Sequence, residues 1–264
     1  MKISQVFRKF LLEPCGLEDY SFQLDPFIGC EHYCLYCYAL NNAQTDWKEE
    51  IFIHERFSQR LEQELSLIPP QPIYLGMNSD PYQPLEESYP QTRIAIEILQ
   101  KKDFSVSILT KSPLVLRDIE LLRKIPGASV GLSFAFHDEE IRKLFEAKAP
   151  PNSERLESLK ALKEAGIKTY ALICPVMPFF TDLRSLLNEL VPCADTIWLY
   201  RLRMGSEKDP NWRLFSGALA EHYPELWESY RQICFYREHP YWLEVRQLLE
   251  EAREKDHLNL RIRL

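Results

Sequence analysis

Cys30, Cys34 and Cys37 fall within residues 30–37 of a 264-residue chain that has seven cysteines in all. Three thiols at close, irregular spacing in one loop can converge on a soft metal centre, which means either zinc or an iron–sulfur cluster. A structural zinc takes four ligands, commonly as two CxxC-like pairs far apart. No second pair exists here: Cys174, Cys193 and Cys234 are isolated, and Cys15 stands 15 residues before Cys30. Zinc would have to recruit His32 or Cys15. A four-iron cube takes one protein ligand per iron, so three cysteines leave one iron open to a ligand that is not protein. The spacing favours the cluster, with zinc and a chance grouping of buried thiols as the other readings.

Other chemistry is weakly represented. GLSFA, around Ser133, approaches the G-x-S-x-G elbow of hydrolases but lacks the final glycine. An elbow also needs a sharp strand-to-helix turn, whereas SVGLSFAF reads as an unbroken strand. The phosphate-binding patterns G-x-G-x-x-G and G-x-x-x-x-G-K-[ST] are absent. Lys plus Arg number 32 against 39 Asp plus Glu, a net charge of -7, so binding to a nucleic-acid backbone would need a local basic patch. The N-terminal segment has no long apolar stretch with a small-residue cleavage site, and the most apolar run, near Ala171–Phe180, is broken by Pro175 and Pro178. Neither export nor a membrane span is expected, and an odd cysteine count suits a reducing compartment, the cytoplasm.

These residues need a scaffold, and the pattern from residue 70 onward supplies one. Short β-rich runs alternate with helix-period stretches, which predicts βαβ units and a parallel sheet. The strands read as 21–29, 72–78, 104–112, 128–136, 168–178 and 195–204. Between them, QTRIAIEILQKK places Ile94, Ile98 and Leu99 together, and SERLESLKALKEAG does the same for Leu156, Leu159 and Leu162 before Gly166 ends it. Six βα units are too few for a closed eight-stranded barrel, so an α/β fold with a partial (β/α)6 TIM-like barrel is expected, working at the C-terminal ends of its strands. The cysteine loop, MNSDPYQP, TKSP and CPVMPFFTD all follow strands. The chain divides into an N-terminal segment 1–20, a core 21–204 and a helical C-terminal extension 205–264, with NLRIRL pairing at the sheet edge.

CxxxCxxC with an aromatic residue, Tyr36, before the last cysteine resembles the signature of the radical S-adenosylmethionine enzymes. GCEHYCLYCYA, GMNSDPYQP, ILTKS, VGLSFAF and AGIKTYALICPVMP, in that order, are similar to the branch that includes spore photoproduct lyase. The resemblance implies a [4Fe-4S] cluster whose open iron is chelated by S-adenosylmethionine. One electron then cleaves the sulfonium to a 5′-deoxyadenosyl radical that abstracts hydrogen from a substrate, the cofactors carrying the difficult chemistry. It further implies an external electron donor such as flavodoxin or ferredoxin.

Residue by residue, the resemblance makes Cys30, Cys34 and Cys37 the cluster ligands. It sets Tyr36 against the nucleoside and Tyr38 in the lining of the site, where the residues alone would make both core aromatics. Ser79 and Asp80 would lie where the amino group of the methionine moiety is held, with backbone carbonyls and Ser79 as its partners, although Asp80-Pro81 is also a favoured turn start. Lys111 would meet its carboxylate, and Ser133 would contact the cofactor. His32 reads as a surface loop histidine rather than a ligand. The repair enzyme of this branch returns hydrogen from a cysteine at the position of Met77, and a thioether has no S–H to give. Cys174, at the end of the fifth strand, could substitute if it faces the site, although a buried structural thiol is the better account of it. Three functions follow: a radical enzyme with an unidentified substrate, which is favoured; a DNA photoproduct lyase; or a zinc or iron–sulfur binding module. Loops and the C-terminal segment select the substrate in such barrels, with Tyr200, Arg201 and Arg203 as candidates to meet an anionic group.

Overall fold

A parallel sheet needs long crossovers, and the chain supplies them in regular order. The computed structural model describes residues 1–236 and 238–264. It begins with β1 (Lys2–Val6), β2 (Leu12–Pro14), β3 (Phe22–Leu24), β4 (Phe27–Ile28), β5 (Glu50–His54) and α1 (Phe57–Leu65). Alternation then sets in through β6 (Ile73–Leu75), α2 (Gln91–Lys101), β7 (Val106–Thr110), α3 (Ile119–Leu122) and β8 (Ser129–Phe134). It continues with α4 (Glu139–Phe145), α5 (Asn152–Glu164), β9 (Lys168–Val176), α6 (Leu183–Leu190) and β10 (Thr196–Arg201). Helices α7 (Pro210–His222), α8 (Trp227–Phe235) and α9 (Pro240–Lys255) precede a last strand, β11 (Leu260–Arg263).

The main sheet has eight strands in the order β11-β10-β9-β8-β7-β6-β3-β2. Strands β3 and β6 to β10 are the six expected strands and run parallel, with ends trimmed relative to the sequence reading. NLRIRL does pair at the edge: β11 runs parallel to β10. The expected strand over 21–29 splits at Asp25-Pro26, because proline cannot donate to a ladder. Its first half is β3, while β4 crosses to a separate sheet of order β1-β5-β4. That small sheet and β2, which lies antiparallel to β3, were not anticipated. β1 (KISQV) lacks an apolar alternation, and none of its residues is fully buried.

The two faces of the main sheet differ sharply. Val130, Leu132 and Phe134 of β8, Ala171 and Ile173 of β9 and Ile197 and Leu199 of β10 are buried on the side that the helices cover. The inner face carries Ser107, Ser129, Gly131, Ser133, Tyr170 and Cys174 beside Leu109 and Leu172, which is more polar than the branched aliphatic layers that usually fill such a barrel. Tyr170 closes its lower end. The hydroxyl donates to the carbonyl of Ile108 at 2.8 Å, and the ring passes over Gly131, where an added Cβ would lie 2.0 Å from it. The upper end, at the C-terminal tips of the strands, stays open.

Gly131→Ala is therefore expected to destabilise the fold by about 1–3 kcal/mol through overpacking against Tyr170. Gly217→Ala in α7, where a Cβ meets nothing within 4 Å, should be neutral or slightly stabilising. Urea unfolding midpoints of the two variants check both signs.

Candidate functional site

The cysteine loop is built by a tight turn and held from several sides. Gly29 opens it at φ +97°, and an added Cβ there would stand 3.1 Å from the Trp47 ring, so glycine answers both the dihedral and the close approach. Buried Gln83 donates to the Gly29 carbonyl at 3.1 Å and accepts from the Glu31 amide at 2.8 Å. The Glu31 carboxylate in turn accepts from the Leu85 amide at 2.5 Å. The MNSDPYQP segment therefore clamps the start of the loop. Farther along, the Leu35 amide donates to the Phe145 carbonyl at the end of α4, 3.0 Å away, and Asn211 of α7 donates to the Tyr36 carbonyl at 3.4 Å.

The three thiols lie close enough to sense one another's charge. Cys34 is buried, whereas Cys30 and Cys37 are partly exposed. Burial pushes the Cys37 thiol up to about 11 and the Cys34 thiol well above its ordinary value. Such thiols stay protonated until a cationic centre displaces the protons. Among the described residues, no three His, Cys, Asp or Glu side chains converge tightly enough for one metal ion. A cluster spreads its thiolates over separate irons and asks only that they face a common space. His32 is not a surface residue: it is 2% exposed. Burial disfavours its charge, but Asp80 and the Cys30 thiol outweigh that and hold its ring at about 10.

Behind the loop lies a buried polar network. Glu146, just past α4 and fully buried, accepts from the Tyr36 hydroxyl and from Arg155 at 2.6 Å. Arg155 of α5 also donates to the carbonyls of Ser133 (2.8 Å) and Pro150 (2.9 Å), which satisfies its guanidinium. The Lys111 ammonium, at the end of β7, donates to the Ser133 hydroxyl at 3.0 Å and lies 3.9 Å from Glu146. Burial opposes the Glu146 charge, yet Arg155 and Lys111 prevail and keep its carboxyl at about 2. Burial likewise opposes the Lys111 charge, and Glu146 and Cys34 more than restore it. Two cations thus face one carboxylate, and the surplus positive charge sits beside the thiols. Neither Glu146 nor Arg155 was singled out from sequence, because the partners that give each its meaning lie far away in the chain.

The remaining expected residues divide. Tyr38 does stand at the open mouth, 51% exposed, with its hydroxyl on the Met77 carbonyl. Tyr36 is turned the other way: its ring is buried, 6.2 Å from that of Phe136, and its hydroxyl belongs to Glu146. Burial and the carboxylate fix the ring in the core, which agrees with the core aromatic that the residues alone suggest. Ser79 is buried and donates to the Phe27 carbonyl at 2.9 Å. Asp80 accepts from Thr110 (2.6 Å), the Tyr82 amide (2.9 Å) and the Lys111 amide (2.7 Å), with His32 3.3 Å away. Burial opposes the Asp80 charge, but His32, with help from Thr110 and the Lys111 amide, overcomes it, so the carboxyl lies at about 2. Asp80 thus clamps the turn after β6 to the end of β7. Cys174, at the end of β9, lies within electrostatic reach of Lys111 and Cys37.

Comparison with known proteins bears on this arrangement. The model of the Radical SAM superfamily matches residues 24–187. An uncharacterised protein of Methanocaldococcus jannaschii is 28% identical over 232 residues, 86% of this chain and 86% of that protein. An uncharacterised protein of Mycobacterium tuberculosis is 30% identical over 241 residues, 84% of this chain and 69% of its own length. A mutant spore photoproduct lyase with bound AdoMet and dinucleoside spore photoproduct superimposes with a TM-score of 0.61 at 18% identity, covering 84% of this chain and 66% of that one. Streptococcus suis SuiB bound to S-adenosylmethionine gives 0.60 at 13% identity, covering 91% and 49%. The chain spans just under two thirds of the lyase and about half of SuiB, and at these identities the likeness speaks for the fold.

Glu146→Gln should destabilise the protein by about 3–5 kcal/mol, because it strands Arg155 in the interior. Tyr36→Phe should cost only about 1 kcal/mol. A carboxyl at about 2 in the fold, against an ordinary 4.5, contributes stability that is full above pH 4.5 and is lost as pH falls toward 2. That contribution is on the order of 3 kcal/mol. Urea unfolding between pH 5 and 2 should show the acid loss in the native chain and a shallower one in E146Q.

Proposed function

Because this chain belongs to the radical SAM superfamily, whose model covers residues 24–187, we propose that Cys30, Cys34 and Cys37 hold a [4Fe-4S] cluster and that the protein is a radical enzyme acting on a substrate bound in the barrel mouth. When bound, the cluster and S-adenosylmethionine supply a one-electron reductive cleavage that yields a 5′-deoxyadenosyl radical able to abstract hydrogen. The observation that carries this reading is the pairing of three loop thiols with an unbalanced cation at the same end of the barrel.

The chain's own residues have separable tasks. Lys111, held at 3.0 Å by Ser133, offers a fixed positive charge to the carboxylate of the methionine moiety, and Glu146 keeps it from neutralising. Ser133 spends its acceptor on Lys111 and so sets the direction of that ammonium. Asp80, through the Lys111 amide, fixes where the lysine leaves its strand. The Ser79 hydroxyl is committed to Phe27, so backbone carbonyls of the turn after β6 are the acceptors left for an ammonium group. Tyr38 lines the mouth and shields it from water. An external one-electron donor of the flavodoxin or ferredoxin kind completes the cycle. Among the described residues, no helix is long and apolar enough to cross a membrane.

Lesion cleavage is not carried over from the lyase, since Met77 offers that mechanism only a thioether. Its carbonyl instead accepts the Tyr38 hydroxyl.

Anaerobic reconstitution with iron and sulfide, followed by dithionite and S-adenosylmethionine, should yield 5′-deoxyadenosine and methionine. Alanine at Cys30, Cys34 or Cys37 should abolish both the product and the visible cluster absorption. Lys111→Ala should retain the absorption and weaken S-adenosylmethionine binding about ten- to a hundredfold. A fully loaded protein that binds S-adenosylmethionine no better than the cysteine variants would sink the reading.

A further inference from the structure

Two arginines face the open barrel interior from a strand that lies beyond the residues matched by the family model. β11 pairs in parallel with β10, which sets Arg261 beside Trp198 and Arg263 beside Tyr200. Paired residues on neighbouring strands share a face of the sheet. On β10 that face is the inner one: Ile197 and Leu199 are buried on the helix side, while Tyr200 comes within electrostatic reach of Cys174 and Arg263. On β11, Leu260 and Ile262 belong to the helix-covered core, so Arg261 and Arg263 alternate inward. The same row continues toward the candidate site, since Trp198 pairs with Leu172 and Leu172 with Ser133. Ser133 holds Lys111.

This part of the interior is a recess rather than a packed core. Trp198 and Tyr200 are only half-buried, and their rings stack along the strand at 6.3 Å and 16°. Arg261 has no ion-pair partner among the described residues. Arg263 meets Glu18 of the β2–β3 turn at 3.5 Å, with side chains 56% and 88% exposed. Such an exposed pair adds little stability, so an incoming anion can replace the carboxylate. Arg201 and Arg203, the candidates on the adjacent strand, instead line a cavity with Ile233 and Trp242 on the helix side.

We propose that the β10–β11 inner face is the substrate subsite, and that it takes a planar group bearing an oxyanion. Arg261 and Arg263 bind the oxyanion, with the bidentate geometry that suits guanidinium to carboxylate or phosphate. Trp198 and Tyr200 take the plane of the molecule. The inference rests on the radical-enzyme reading, because it places the substrate on the same inner face as Lys111.

Calorimetric titration of the anaerobically reconstituted full chain tests this with three probes: uridine 5′-monophosphate, orotate and uridine. The stronger of the two anions should bind at least about tenfold tighter than neutral uridine, and its identity separates a phosphate source from a carboxylate. R261Q/R263Q should erase that preference while circular dichroism stays native. R261K/R263K should restore part of it, Glu18→Gln should tighten the anions and leave uridine unchanged, and Trp198→Ala should weaken all three in proportion. Equal binding of anions and uridine, binding of none, or a preference that survives R261Q/R263Q overturns the subsite. The readout is independent of S-adenosylmethionine cleavage: anion preference without 5′-deoxyadenosine overturns the radical reading alone, and 5′-deoxyadenosine without anion preference overturns the subsite alone.

Discussion

One buried carboxylate organises the working end of this molecule. Glu146 is inaccessible to water, and it joins the Tyr36 hydroxyl, the Arg155 guanidinium and, at 3.9 Å, the Lys111 ammonium. Those groups come from the cysteine loop, α5 and the end of β7. A charge in such surroundings is tolerable only with its partners in place, so the four segments are ordered together or not at all. The cysteine loop thereby becomes part of the core instead of a mobile surface connection.

The same network explains the electrostatics of the mouth. Arg155 is satisfied internally, by Glu146 and two carbonyls, whereas Lys111 keeps a charge that Glu146 only partly offsets. Across the loop, His32 and Asp80 form a second buried pair at 3.3 Å that cancels itself. The result is a local positive excess in a protein of net charge -7, positioned where thiolates and an anionic ligand would gather. In a site of low dielectric constant one fixed cation matters more than the distant negative surface.

The barrel is open for a structural reason and closed off for another. Six parallel strands do not complete a ring, and the flanking segments add β2 at one edge and β11 at the other without joining them. The exposed Arg263–Glu18 contact is what bridges that seam. At the bottom, Tyr170 fills the space over Gly131. Access is thus left to the upper end and the seam, next to residues that come from the two ends of the chain.

Local composition sufficed for the parallel core and the cysteine cluster. Period-two apolar runs separated by helical stretches can bury themselves in few other ways, and ligand spacing within one short loop depends little on the rest of the chain. Residues whose meaning depends on distant partners were not legible. The residues alone make Tyr36 a core aromatic, but nothing local points to Glu146, which is 110 residues away and accepts from its hydroxyl. Asp80-Pro81 reads as a turn start, and only the fold brings Thr110 and the Lys111 amide to the Asp80 carboxylate; His32 reads as exposed until the fold buries it beside Asp80. NLRIRL reads as an edge strand, but only docking of β11 in register on β10 sets Arg261 beside Trp198 and Arg263 beside Tyr200. The sequence by itself determined which chemistry was possible and on what kind of scaffold. Tertiary structure decided which charges are spent internally and which remain for a ligand, because burial and pairing belong to contacts between segments far apart in the chain.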